Sequence, residues 1–204
     1  MIQEEKSLRK KGYKFIVGID EAGRGPLAGP VVAGAVLIND FNLIKKNKLI
    51  RDSKQLSEKQ RKQAYDFLID KVEWGIGIVS EKEIDRINIR EATKKAMIKA
   101  IKSLEKKTRI DFMILDGNMG LDIEYEQKSI IKGDQKVLSC SAASIIAKVT
   151  RDEIMIKYDK TYPKYNFKKH KGYGTLEHMK NIKKHGLCKI HRKSFNHCIR
   201  KKGT

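Results

Sequence analysis

Two short apolar runs, Tyr13–Ile19 and Val31–Ile38, flank a glycine-rich turn, and two acids, Asp20 and Glu21, stand where the first run ends. β-Branched residues bounded by Gly and Pro predict two strands joined by that turn. Three further strand candidates follow, Val72–Val79, Asp111–Leu115 and, with a weaker signal, Lys128–Ile131. Between them lie helical patterns. Ser57 with Gln60 three residues on reads as a capping box, followed by an apolar face of Ala64, Phe67, Leu68 and Val72. Asn88 with Glu91 opens a longer helix whose Ala92, Ala96, Met97, Ala100, Ile101 and Leu104 recur at helical spacing. A third helix is expected from about residue 141 to residue 158. Paired early strands followed by alternating helices and strands predict an α/β chain, a mixed sheet covered by helices.

No repeat, linker or low-complexity tract divides the chain before about residue 160. Beyond Tyr162 the apolar density falls and the sequence turns basic and aromatic. The expected organisation is a core over residues 1–160 and a basic, helical, substrate-binding extension over 161–204, within one structural unit. A chain of 204 residues is long enough to bury a sizeable core. Cys140, Cys188 and Cys198 contain no CxxC pair, which argues against a disulfide framework. The N-terminus lacks the apolar segment of a secretory signal, and no uninterrupted apolar stretch has the length of a membrane span. The expectation is a soluble, cytoplasmic monomer with no membrane partner. Its formal net charge of +20 favours encounter with polyanions, nucleic acid above all.

The acids give that surface a chemistry. Side chains alternate faces along a strand, so Asp20 and Glu21 can both reach one point if the strand stops at Asp20 and Glu21 enters the turn. Asp116 repeats the placement at the end of another apolar run, before a Gly-Asn turn. Asp152 interrupts the stripe Ala142, Ile145, Val149, Asp152, Ile156 on the third helix. Read singly, Asp152 pairs with Lys148 or Arg151, Asp116 closes an Asx turn and Glu21 is exposed. A buried, unpartnered carboxylate costs several kcal/mol or is neutralised, and a shared cation accounts for all four together. Four negative charges suit two divalent ions, and oxygen ligands favour Mg2+ or Mn2+. Two such ions roughly 3.5 to 4 Å apart are a known device for phosphodiester cleavage.

The order DEAGRG, DSKQLS, LDGN, SAASIIAKVTRD, KGYGT and HRKSF, spread from Phe15 to Phe195, resembles bacterial ribonuclease HII. The resemblance implies a ribonuclease H-like fold with a small C-terminal helical extension. It also implies metal-dependent endonucleolytic cleavage of RNA in RNA-DNA hybrids and 5′ of single ribonucleotides in duplex DNA, leaving 3′-hydroxyl and 5′-phosphate ends. The family's acids fall on Asp20, Glu21, Asp116 and Asp152, with Asp20 shared between the ions. Its GRG motif is Gly23, Arg24 and Gly25, which in relatives lines the minor groove beside the ribonucleotide. Tyr173 matches the tyrosine that stacks on the following sugar, with glycines on both sides leaving its ring open. Ser53 and Lys54 resemble phosphate contacts, and Lys148 and Arg151 could hold phosphates or balance the acids. The sibling family, ribonuclease HIII, carries an extra N-terminal domain and a GKG turn; here 19 residues precede Asp20 and the turn holds Arg24.

Other chemistries fit less well. His185, Cys188, His191, His197 and Cys198 lack the paired spacing of a zinc site. GRGPLAG is neither a dinucleotide fingerprint nor a P-loop. The alternatives are a non-catalytic nucleic-acid-binding protein, which leaves the clustered acids unexplained, and a related two-metal nuclease with a different substrate.

Overall fold

Strand β1 (Ile16–Ala22) is the axis on which the other elements are placed. On one side it pairs antiparallel with β2 (Val31–Leu37), which pairs antiparallel with β3 (Glu73–Val79). On the other it pairs parallel with β4 (Phe112–Asp116), which pairs parallel with β5 (Glu126–Ile130). The resulting five-stranded mixed sheet has the order β3-β2-β1-β4-β5. The structure is a computed structural model and describes residues 2–50 and 53–195.

Helices cover both faces. Val17 and Ile19 of β1, with Ala33 and Ala35 of β2, point to one face and pack on Ala96, Met97, Ala100, Ile101 and Leu104 of α4 (Glu81–Glu105). The opposite face meets α3 (Glu58–Ile69) and α6 (Leu138–Thr161). There Val36 and Ile38 join Leu68, Ala142, Ala143, Ile145 and Ile146 in a second core. The helix α6 approaches so closely because the strand positions beneath it are small. A Cβ on Gly18 would lie 2.3 Å from the backbone carbon of Ser139, and one on Gly34 would lie 2.7 Å from the Ala143 carbonyl oxygen.

The α6 N-terminus has no cap from its own sequence; the buried Glu5 of α1 (Gln3–Lys10) accepts from both the amide and the hydroxyl of Ser139, each at 3.1 Å. A carboxylate there answers the unsatisfied amides and the positive end of the helix dipole. The remaining short helices are α2 (Phe41–Lys46), α5 (Gly133–Lys136), α7 (Phe167–His170) and α8 (Leu176–His185). Beyond α6 the chain folds back, and Tyr165, Phe167, Ile182 and Ile190 enclose Met155 of α6 together with Leu27 and Ala28 from the β1–β2 turn. Among the described residues no helix is long and apolar enough to cross a membrane.

The capping box at Ser57 forms as expected, with the Ser57 and Gln60 side chains each bonded to the other's amide. Asn88 also acts as a cap, accepting from the amides of Arg90 and Glu91. About two additional turns of helix precede it from Glu81, started by Ser80, and Asn88 kinks the two segments with φ 68°. One expectation fails: β1 does not stop at Asp20 but continues through Glu21 to Ala22, because β2 keeps pairing with it to Val32.

Gly18→Ala is expected to lower stability by about 1 to 3 kcal/mol through overpacking against the α6 backbone. Gly120→Ala, with open space around the added methyl, should leave it unchanged. Thermal or urea unfolding of the two variants checks the contrast.

Candidate active site

The parallel pairing of β1 with β4 ends at Ile19 opposite Leu115. Asp20 and Asp116 are the next residue on each strand, so the topology sets two carboxylates side by side where the sheet opens. β5 runs parallel to β4, and the chain leaving its end turns through Lys132 (φ 59°) into α5, which carries Asp134. One oxygen each from Asp20, Asp116 and Asp134 lie within 4.8 Å of one another. Asp20 is 4% and Asp134 2% exposed. The Gly133 amide donates to Asp116 Oδ1 at 2.6 Å, and Lys54 Nζ donates to Asp134 Oδ2 at 3.1 Å.

Glu21 follows Asp20 on the strand, and its side chain reaches the same cavity, paired with Arg24 at 3.2 Å. Burial, then the neighbouring Glu21 and Asp116 charges, raise the Asp20 pKa well above the usual carboxylate range. A hydrogen bond from Ser144 and one from the Glu21 amide at 2.7 Å oppose that rise without cancelling it. Burial also raises Glu21, against the opposing pull of Arg24. Desolvated carboxylates crowded together hold protons unless a cation replaces them. An all-oxygen donor set of this kind fits a hard divalent cation.

Of the sequence-predicted site residues, all but Asp152 and Arg151 line this cavity of about 240 Å³. Asp152 does not join the carboxylates. It faces α3 instead, where Lys148 Nζ lies 2.7 Å from one of its oxygens and Arg61 3.9 Å from the other, and it walls a separate cleft with Val149 and Ile156. Two cations already offset its charge. Asp134 takes the vacated place in the carboxylate group, and its signal was the KGDQ stretch just after β5, at the same edge of the sheet as Asp116.

Arg151 likewise departs from expectation. It is fully buried, and its guanidinium donates to the carbonyls of Pro30 (2.9 Å), Lys171 (3.0 Å) and Ala28 (3.1 Å). Arg192, also fully buried, donates to the carbonyls of Gly23, Arg24, Gly29 and Pro30 at 2.6 to 3.1 Å. Gly23 adopts φ +99°, and a Cβ there would lie 2.1 Å from Arg151 Nε. The GRG turn is therefore fixed from below by two guanidinium groups.

Ser53 is buried with its hydroxyl 2.9 Å from that of Ser144, whereas the Lys54 side chain is largely exposed. Tyr173 is 42% exposed, with Lys148 Nζ 5.7 Å from its ring centre. Gly25 faces the ring; Gly172 and Gly174 do not serve to clear it, since added Cβ atoms there would strike Ala28 and Leu27. Those two glycines let the tyrosine loop pack on the β1–β2 turn.

Near the C-terminus, His191 Nδ1 accepts from the Cys188 amide at 2.9 Å and lies 3.1 Å from its thiol. Its Nε2 lies 3.1 Å from that of His178, which in turn stacks on His170; neither of these histidines was read from the sequence. His197 and Cys198 lie outside the described residues. Among the described residues the only group of three metal-ligating side chains within reach of one ion is Asp20, Asp116 and Asp134.

A mixed sheet in this order, with carboxylates beyond its central parallel pair, defines a metal-dependent nuclease of the ribonuclease H-like fold. The family model for ribonuclease HII matches residues 17–198, and the chain belongs to that family. A ribonuclease HII from Acetivibrio thermocellus is 55% identical over 192 residues, 94% of this chain and 73% of that protein. One from Clostridioides difficile is 51% identical over 186 residues, 91% of this chain and 71% of its own length. The crystal structure of ribonuclease H2 from Pyrococcus horikoshii OT3 matches with a TM-score of 0.75 at 28% identity, covering 92% of this chain and 97% of that one. The protein is a ribonuclease H, a metal-dependent endoribonuclease acting on RNA-containing nucleic acid.

Burial lowers the pKa of both His178 and His191 from 6.5 to about 4. The unfolded chain takes up protons on these rings from about pH 6.5 downward, while the folded chain resists until near pH 4. Their contribution to stability is complete above about pH 6.5 and is lost as the pH falls to 4. The melting temperature should decline across that window; a value flat from pH 6.5 to 4.5 would contradict neutral buried rings.

Proposed function

We propose that the enzyme cuts the RNA strand of RNA-DNA hybrids and the bond 5′ of a single ribonucleotide embedded in duplex DNA, leaving 3′-hydroxyl and 5′-phosphate ends. The observation that carries this reading is the convergence of three carboxylates, Asp20 and Asp134 buried and Asp116 partly so, beside a fixed glycine turn. Asp20, Glu21, Asp116 and Asp134 would hold two divalent cations, Mg2+ or Mn2+, with Asp134 in the place first given to Asp152. Such ions lower the pKa of an attacking water and stabilise a departing 3′ oxygen.

The chain's own residues supply the rest. Gly23, Arg24 and Gly25 bring backbone to the minor groove, where a 2′-hydroxyl distinguishes RNA from DNA at one position. Glycine permits that approach because nothing projects from its Cα. Lys54 and Lys148 stand at the cavity rim, where ammonium groups meet phosphates, and Ser53 supports Asp20 through Ser144. Tyr173 offers an exposed ring to the sugar following the ribonucleotide, so that the enzyme senses the RNA-to-DNA junction. A basic rim with an aromatic platform is a common means of holding nucleic acid.

Asp20→Asn and Asp134→Asn should each lower turnover by about a hundredfold or more and spare binding of an RNA-DNA hybrid. Asp152→Asn should retain most of the activity. Cleavage and filter-binding assays on defined duplexes decide the matter, and an inactive Asp152→Asn beside an active Asp134→Asn would restore the first assignment. Tyr173→Ala should reduce the preference for single-ribonucleotide duplex over continuous hybrid; equal losses on both substrates would remove Tyr173 from junction recognition.

A further inference from the structure

Three imidazoles lie together beneath the Tyr173 loop, all nearly inaccessible: His170 at 7%, His178 at 0% and His191 at 1% exposure. His170 and His178 stack at 4.3 Å between ring centres. Backbone hydrogen bonds fix where the protons sit on His170 and His178. The Gly172 amide can only donate, so His170 Nδ1, 3.2 Å away, accepts, and its proton lies on Nε2, which donates to the Tyr165 carbonyl at 2.7 Å. The Tyr173 carbonyl can only accept, so His178 Nδ1 carries the proton and donates to it at 2.9 Å. His178 Nε2 is then bare and accepts from His191 Nε2 at 3.1 Å. His191 Nδ1, bare in turn, accepts from the Cys188 amide at 2.9 Å.

The assignment keeps every ring neutral and gives each nitrogen a partner of the right sense; at His191 Nδ1 the Cys188 carbonyl also lies 3.3 Å away, farther than the amide at 2.9 Å that sets the assignment. The two groups it holds at the loop are the Gly172 amide, one residue before Tyr173, and the carbonyl of Tyr173 itself. The loop has other anchors, since the Tyr173 amide donates to the His170 carbonyl and the Thr175 amide to the Tyr173 carbonyl. Those bonds are internal to residues 170–175; the Leu27 amide, donating to the Gly172 carbonyl at 2.8 Å, and Arg151, donating to the Lys171 carbonyl, tie the loop to the β1–β2 turn, and the chain from Cys188 through His191 to His178 ties it to the distant end of the extension.

We propose that His178 and His191 are positioning residues for substrate discrimination: their directed hydrogen-bond chain fixes the Tyr173 backbone, and so the ring that reads the RNA-to-DNA junction. Neither imidazole touches substrate. The inference rests on the junction role proposed for Tyr173, and it goes further by making that role depend on one proton, the His178 Nδ1 hydrogen.

Near-isosteric variants separate the two ring nitrogens. An asparagine amide can occupy the place of Nδ1 and keep the donor to Tyr173, whereas a glutamine amide reaches the place of Nε2 and loses it. The experiment measures kcat/KM of the full chain, with metal, on a duplex carrying one ribonucleotide and on a continuous hybrid, after checking each variant's melting temperature. His178→Gln should lower the ratio between the two substrates about tenfold, as loss of one buried hydrogen bond implies, with the hybrid rate changed by no more than about twofold. His178→Asn should keep the parent ratio. His191→Gln, which retains the Nε2 donor, and His191→Phe, which removes it, repeat the contrast should the first pair fold poorly.

Equal losses on both substrates, or a His178→Gln ratio equal to that of the parent while Tyr173→Ala lowers it, would overturn the inference alone. A Tyr173→Ala variant with an unchanged ratio would instead overturn the reading of Tyr173, and the inference with it.

Discussion

Two buried guanidinium groups decide the shape of everything around the cavity. Taking a charged arginine out of water costs several kcal/mol, and Arg151 and Arg192 have no exposed surface. No carboxylate among the described residues pairs directly with either, so the offset comes from backbone carbonyls, three for Arg151 and four for Arg192. Those carbonyls belong to the β1–β2 turn and to Lys171 just before the tyrosine loop. A turn with five carbonyls committed inward, those of Gly23, Arg24, Ala28, Gly29 and Pro30, cannot readily rearrange, so the glycines of the turn and the loop bearing Tyr173 are held in one piece. The more distant Glu81 and Asp85 temper the charge of Arg192, against the downward pull of burial on its pKa.

That rigid support faces an opposite problem in the carboxylates. The sheet topology forces Asp20 and Asp116 together, and the turn after β5 adds Asp134. Their charges are compatible only if protonated or if shared with cations. The Lys54 contact with Asp134 and the Arg24 contact with Glu21 supply part of the compensation at the edge of the cavity, while Asp20 remains raised in pKa. The protein thus holds its cationic groups beneath and around the site and its anionic groups at the centre, where a family of metal-dependent nucleases needs them.

How much of this was legible beforehand follows from which signals are local. The strands and helices carry their own periodicity, and the Ser57 box and the Asn88 cap are complete within four residues, so their positions could be read. The α6 stripe was read correctly as a face, but periodicity cannot say what stands opposite a face; Asp152 looked inward and found Lys148 and Arg61 rather than other acids. Asp134 was missed because it sits on a four-residue helix with no apolar pattern to make its burial expected. Arg151 was read as a partner of phosphates or acids and Arg192 was missed, because arginine in a basic sequence reads as surface, and only the fold reveals carbonyls converging on it. The extent of β1 depended on β2 continuing to pair beside it, which no property of residues 20–22 announces.

The Asp152 ion pair has a consequence for the electrostatics of the site. Lys148 borders the cavity, approaches the Tyr173 ring and is bound from behind by Asp152 one helical turn away. Burial, aided by the Arg151 and Arg61 charges, lowers the Lys148 pKa, and the adjacent carboxylate works in the opposite direction to keep the ammonium charged. On the proposed reading a phosphate brought to that ammonium comes close to the acidic centre, where bare carboxylates would repel it and cations would attract it. Occupation of the acids by cations and of the rim by phosphate therefore favour one another, and linkage requires that the coupling be the same in both directions. The acidic centre and the basic rim are then one device, in which neither half binds well without the other.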